Sequence, residues 1–303
     1  MRRVTLALAI ALPMLVASTP GCKLTSRNRA QAIGRMNEGI RHEAKNNTSQ
    51  AEKSLKEAVE FDPTYDKAHF ILGQIYRKQG KLVDAQKAFQ DAIANMGAEP
   101  KPDYHYQLGR VIIAQAEAAG VSQADREAKY KEAIAAFQEA TKLEPNHFRA
   151  HYHVGKLNDR LDLPVQADEA FRKAIEVNAR FVDSFVDLGN MYIDYGHANV
   201  GLAVLEAGVQ VNDKSASMYN GLGRALSKLN RHQEAVDAFK KAKAIDPDRV
   251  DVLYGLGKSY AELRMRAEAL EALQAFIQRA GQDVPAHLVK DANNTVARMQ
   301  DVI

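Results

Sequence analysis

Seven glycines set the frame of this chain. Gly39, Gly73, Gly109, Gly155, Gly189, Gly223 and Gly257 are separated by 34, 36, 46, 34, 34 and 34 residues. Twelve residues after six of them stands a small residue: Ala51, Ala85, Ala167, Gly201, Ala235 and Ala269. Four further on comes a bulky one, at Leu55, Phe89, Phe171, Leu205, Phe239 and Leu273. Three beyond that is usually another small one, as at Ala58, Ala92, Ala174, Gly208 and Ala242, and Pro63, Pro145 and Pro247 then stop the pattern. A unit of about 34 residues cannot bury an apolar face alone, so such units must stack on their neighbours into one continuous core. Composition selects the element. The chain has no tryptophan, 7% aromatic residues and alanine-rich blocks such as "KEAIAAFQEA", side chains that lose little freedom in a helix. Runs of alternating β-branched residues are missing, so almost no strand is expected.

This period, with its small and bulky positions, resembles the tetratricopeptide repeat (TPR). The resemblance covers about residues 32–282, some seven repeats. It implies an all-α TPR solenoid, a right-handed superhelix of antiparallel helix pairs. The small positions let helices approach, and the bulky ones fill the space between them. The recurring words "FILGQIY", "VDLGNMY", "YNGLGRAL" and "YGLGKSY" are then first helices of their pairs. The last of these ends in Gly-Lys-Ser, but a phosphate-binding loop needs another glycine five residues before Gly257, and Val252 stands there. The word is a repeat and not a nucleotide site.

Departures from the period are informative. In the third repeat the small residue, Ala133, follows Gly109 after 24 positions instead of 12. Helical patterning continues on both sides of "GVSQ", so two lengthened helices are expected to form a hairpin at about 114–130. A plain tolerated loop insertion is the other reading. The last repeat carries Phe276 at a normally small position. After it, residues 283–303 read as a capping helix, with Pro285 at its start and Leu288, Ala292, Val296 and Met299 on one stripe. Arg35 and His42, at normally apolar positions, suit the opposite end of the array.

The first residues belong to another class. "MRR" precedes the apolar run "VTLALAIALPMLVA" and then "STPGC". That run is about 14 residues, against the roughly 18–20 needed to span a bilayer. The pattern is that of an export signal, expected over 1–21. Gly21-Cys22 resembles the lipobox of bacterial lipoproteins, with Thr19 where leucine is usual. The resemblance implies a lipidated Cys22, a short linker over 22–31 and membrane anchoring through the lipid, with the array within roughly 30 Å of the headgroups. Lys23 after the cysteine implies the outer membrane, facing the periplasm. A soluble secreted protein with a spare thiol is the alternative. Removing Arg2 and Arg3 with the signal takes 41 bases against 38 acids to 39 against 38. A neutral, exported chain is not expected to bind nucleic acid.

Other chemistry is weakly represented. "HFRAHYH" offers His147, His151 and His153, but His69, His105 and His151 share the fourth repeat position, where the family packs an aromatic side chain. Packing, not metal binding, is expected. Asp183 and Asp187 lie four apart on a helix in a chain that is 26% charged, and Ser217 and Ser259 have no suitably spaced histidine. No catalysis, cofactor or small-molecule substrate is expected.

The TPR resemblance implies that repeat positions five and nine line a concave groove. Position five reads Met36, Phe70, Tyr106, Tyr152, Val186, Asn220 and Tyr254. Position nine reads Ile40, Gln74, Arg110, Lys156, Asn190, Arg224 and Lys258. An aromatic one turn from a base can stack on an apolar side chain while pairing with a carboxylate. A partner segment bearing acidic and apolar residues is therefore expected there, above all at Tyr106, Arg110, Tyr152 and Lys156. The lysine and asparagine of the chaperone-binding carboxylate clamp are absent from positions five and nine of any one repeat. The whole is similar to the pilotin-type TPR lipoproteins that help type IV pilus secretins reach the outer membrane. An adaptor or activator of peptidoglycan synthases or hydrolases is the alternative from another class.

Overall fold

The computed structural model describes residues 20–300 apart from Asp283, with side chains from Arg27 on. The export signal and the Cys22 side chain lie outside the described residues, as does the end of the expected cap at 301–303. The described residues are all-helical, with no strand. One unit, ending at Pro100, holds α1 (Pro20–Ala44), α2 (Thr48–Phe61), α3 (Asp66–Lys78) and α4 (Leu82–Ala94). The other, from Lys101, opens with α5 (Pro102–Ala116), α6 (Gln123–Leu143), α7 (Phe148–Arg160) and α8 (Pro164–Val177). It continues with α9 (Val182–Asp194), α10 (Ala198–Val211), α11 (Ala216–Lys228) and α12 (His232–Ile245), and closes with α13 (Val250–Glu262), α14 (Arg266–Arg279) and α15 (Ala286–Gln300). The backbone is helical from Pro20, through the segment expected as a linker over 22–31.

The seven framing glycines are explained by what they face. A Cβ on Gly73, Gly109, Gly155 or Gly223 would lie 2.6–2.8 Å from the ring of Phe89, Phe137, Phe171 or Phe239, respectively. On Gly39, Gly189 and Gly257 it would lie 2.5–2.7 Å from Leu55, Leu205 and Leu273. Each bulky residue comes from the second helix of the same pair and is at most 1% exposed. Burying one such side chain contributes about 1.5–3 kcal/mol. Phe137 fills this role in the third repeat, whose extra length goes mainly into α6: 21 residues, where the other second helices have 13 or 14. The lengthened hairpin is tied down. Lys129 Nζ donates to Gln115 Oε1 at 2.8 Å, and Arg160 of α7 reaches the Tyr130 hydroxyl at 3.2 Å and also pairs with Glu117.

The turns follow rules of their own. Every turn within a pair carries one left-handed residue, with φ between 57° and 84°: Asn46, Gly80, Gly120, Asp162, Gly196, Asn230 and Arg264. Six of these are Gly, Asn or Asp, the residues that tolerate that conformation. Between pairs, Asp62, Asn178, Asn212 and Asp246 each accept a hydrogen bond from the backbone N–H two residues on. The cap α15 packs Leu288, Ala292 and Val296 against Leu253, Leu273 and Phe276.

Candidate functional site: a polar cavity beside the cap

The aromatic–basic pairs already hold carboxylates. The Tyr152 hydroxyl donates to Asp187 Oδ2 at 2.8 Å, and Lys156 Nζ lies 3.8 Å from the same oxygen. Burial, then the charge and hydrogen bond of Asp187, push the Tyr152 phenol up. Tyr254 and Lys258 repeat the arrangement on Asp291 of the cap, at 2.8 and 3.0 Å. Burial and the Asp291 hydrogen bond push Tyr254 up to about 12. Burial opposes ionisation of Asp291, yet hydrogen bonds from Tyr254 and Lys258 hold its carboxyl below the usual range. The carboxylate expected from a partner is thus supplied by the chain itself, from α9 for Tyr152 and from the cap α15 for Tyr254. Sequence reasoning set Asp187 aside as one of many helical acid pairs and did not single out Asp291. Their signal was an acid 35 residues after Tyr152 and 37 after Tyr254, at a different repeat position from the tyrosines.

Tyr106 and Arg110 sit in a filled neighbourhood. The Tyr106 ring packs on Phe137 and His147, and its hydroxyl lies 3.4 Å from His153 Nε2. His153 stacks on Phe137 with ring centroids 4.9 Å apart. Burial, then the charges of Arg110 and Lys156, push His153 down to about 4. The Arg110 guanidinium stands 5.9 Å over the Tyr106 ring and makes no ion pair among the described residues. Three other histidines serve turns. His69 and His151 Nε2 bond the carbonyls of Pro63 and Pro145 at 2.8 and 2.9 Å, and His147 Nδ1 accepts from the Ala150 N–H. Among the described residues no group of three His, Cys, Asp or Glu is placed to hold a metal ion. In the N-terminal unit, Phe70 packs against Phe89 with centroids 5.6 Å apart, and Gln74 is partly buried one turn on.

The remaining five groove residues, Asn190, Asn220, Arg224, Tyr254 and Lys258, line one cavity of about 660 Å³. Phe239 lies at its wall, and Pro285, His287 and Leu288 border it from the cap side. Position six changes along the array. In the fourth repeat it is His153, stacked across Phe137, whereas in the sixth and seventh it is Gly221 and Gly255. A Cβ on Gly255 would lie 2.4 Å from Phe239, and one on Gly221 3.0 Å from Leu205. The helices close in over these glycines, and no side chain projects from Gly255 into the space.

A polar ladder holds the walls. Arg224 donates to Asn190 Oδ1 at 2.8 Å and to Asp194 Oδ1 at 2.6 Å. Asn220 Nδ2 donates to Asp251 Oδ2 at 2.9 Å, and Arg249 joins Asp251 to Ser217. Lys228 forms no side-chain bond among the described residues, and His232 Nδ1 is buried without a partner. Arg224, Lys228, Arg249 and Lys258 outnumber Asp251 and Glu262 in the lining, but Arg224 is paired with Asp194, Arg249 with Asp251 and Lys258 with Asp291, which leaves Lys228 as the lining cation without a carboxylate partner among the described residues. Its asparagines can bond an extended backbone, and Lys228 can pair with an acidic side chain.

Tetratricopeptide-repeat family models match residues 36–116, 122–182 and 251–282, and a TPR-repeat model matches 223–263. Anaphase-promoting complex subunit 3 of Schizosaccharomyces pombe is 23% identical over 237 residues, which is 78% of this chain and 33% of that protein. PilF of Pseudomonas aeruginosa superposes with a TM-score of 0.56 at 18% identity, covering 74% of this chain and 96% of PilF. YrrB, a TPR protein with an unusual peptide-binding site, superposes with a TM-score of 0.50 at 20% identity, covering 69% of this chain and 99% of YrrB. With seven glycine–knob pairs, all-helical architecture and these matches together, the chain belongs to the tetratricopeptide-repeat family.

Proposed function

We propose that this protein is a non-catalytic interaction scaffold of the cell envelope, held at the outer membrane through Cys22 and assisting assembly of an envelope complex. Its working surface is the polar cavity around Asn220, Arg224 and Lys258, which takes an extended, acidic segment of a partner protein. One observation carries this reading: the cavity brings Asn190 and Asn220 together with Lys228, a cation without a side-chain partner among the described residues, while Tyr106 is packed and Tyr152 and Lys156 are closed by Asp187. The envelope placement rests on the signal-like start and Gly21-Cys22. Together with the repeats, these make a secretin of type IV pili the partner of choice, and the likeness in fold to PilF accords with it.

The test is Lys228→Glu. This side chain has no bond to lose, so the fold should keep its melting temperature while partner capture from envelope extracts falls about tenfold or more, as for loss of a charge-assisted contact. Unchanged capture would remove the cavity from the proposal. In a strain lacking the protein, secretin multimers should fail to form; their normal assembly would rule out the pilus role and leave the scaffold.

A further inference from the structure

A second cavity, of about 370 Å³, lies where the last repeat meets the cap, lined by Lys258, Arg264, Arg266 and Arg298, with Glu262 the one acid in its wall. Elsewhere many arginines end on carboxylates, as Arg160 does on Glu117, Arg172 on Asp168, Arg231 on Glu234 and Arg279 on Asp248, though Arg110 and Arg149 do not. Two of those in this cavity do not either. Among the described residues Arg264 makes no side-chain bond, and Arg298 reaches only the Asn294 carbonyl and Thr295 Oγ1, each at 3.3 Å. Lys258 shares its charge with Asp291 at 3.0 Å, and the Arg298 charge also acts on Asp291 without forming an ion pair.

Arg264 is also costly where it stands. It occupies the left-handed turn position, φ 59°, that the six equivalent turns give to Gly, Asn or Asp. An arginine held there against its backbone preference, beside two more guanidinium groups, indicates a purpose other than making the turn.

We propose that Arg264, Arg266 and Arg298, with Lys258, form a binding site for a phosphate group. One carboxylate is satisfied by a single forked guanidinium. Several guanidinium groups around a small cavity instead suit a compact anion with three or four acceptor oxygens. Ala261 and Met299 in the same wall leave room for the carbon side of an ester. Either a free phosphate or a phospholipid headgroup supplies this chemistry.

The experiment is calorimetric titration of the whole chain with inorganic phosphate, beside co-sedimentation with phosphatidylglycerol vesicles. Saturable binding is expected, weakened about tenfold or more in Arg264→Gly and Arg298→Ala, the scale of a lost charge-assisted pair. Lys228→Ala, in the other cavity, should leave it unchanged. Arg264→Gly should melt no lower than the wild type, because glycine is at home at this φ, so its loss of binding cannot be ascribed to unfolding. Arginine-dependent vesicle binding identifies a headgroup, and phosphate binding without it identifies a free anion; both support the site. Absence of both, binding that neither substitution weakens, or arginine-dependent binding of a glutamate-rich peptide but not phosphate overturns it.

Discussion

The helix pairs α5–α8 and the run from α9 to the cap are built on one period and differ in what they do with it. Both place a ring or a leucine on a glycine of the same pair. In the first region the groove is then filled: His153 stacks on Phe137, Tyr106 packs beside it, and Asp187 closes Tyr152 and Lys156. In the second, position six is Gly221 and then Gly255, and a cavity of about 660 Å³ with Gly255 in its wall lies among Asn190, Asn220 and Arg224. The repeated positions build the fold, and the positions that depart from the repeat decide where a ligand fits.

The largest effect that probes this contrast should come from the knobs. Phe137→Ala and Phe239→Ala should each lose about 3–5 kcal/mol of stability in urea denaturation, because both rings are almost fully buried in equivalent places. A much smaller loss at Phe239 would mean that the open region is looser than its packing indicates.

Next is acid. The His153 pKa in the folded protein, about 4, lies below its ordinary value of 6.5, so the unfolded chain binds the proton first as pH falls. Stability should therefore be fully present above about 6.5, decline between 6.5 and 4, and level off below, a loss of about 3 kcal/mol from this group. His153→Phe should flatten that part of the profile, measured by urea midpoints across pH.

Gly255→Ala should cost about 1–3 kcal/mol by pressing on Phe239. Gly34→Ala in α1, where nothing lies within 4 Å, should instead stabilise by about 0.5–1 kcal/mol. Smallest is loss of a hydroxyl. Tyr152→Phe should cost about 1 kcal/mol and Tyr254→Phe less, since Asp291 keeps Lys258.

Much of the fold was legible because a solenoid repeats its constraints. The glycine spacing located the helix pairs, and the residues at plus sixteen proved to be the knobs seated on six of those glycines, with Phe137 seated on Gly109 beyond the insertion. The site was less legible, for a physical reason. Comparing equal positions from repeat to repeat brings out what recurs, whereas the carboxylates that quench Tyr152 and Tyr254 sit at other positions, in the first helix of the next pair and in the cap. Position six changes from histidine to glycine along the array, and no periodic pattern marks that change. The histidine slot was read as packing; His69 and His151 also bond proline carbonyls in the turn before their helices, a contact six residues back that a helical wheel does not display. Arg264 could have been noticed, as an arginine aligned with Asn230, Gly196 and Asp162 at intervals of 34 residues.

The decisive measurement is photocrosslinking in cells from two positions, Asn220 in the open cavity and Tyr106 in the filled region, with captured partners identified by mass spectrometry. Capture of one envelope protein from Asn220, with none from Tyr106, is what the contrast between the two regions requires. Capture from Tyr106 with none from Asn220 would show that the filled region is the working face and that the cavity is only a gap in the packing.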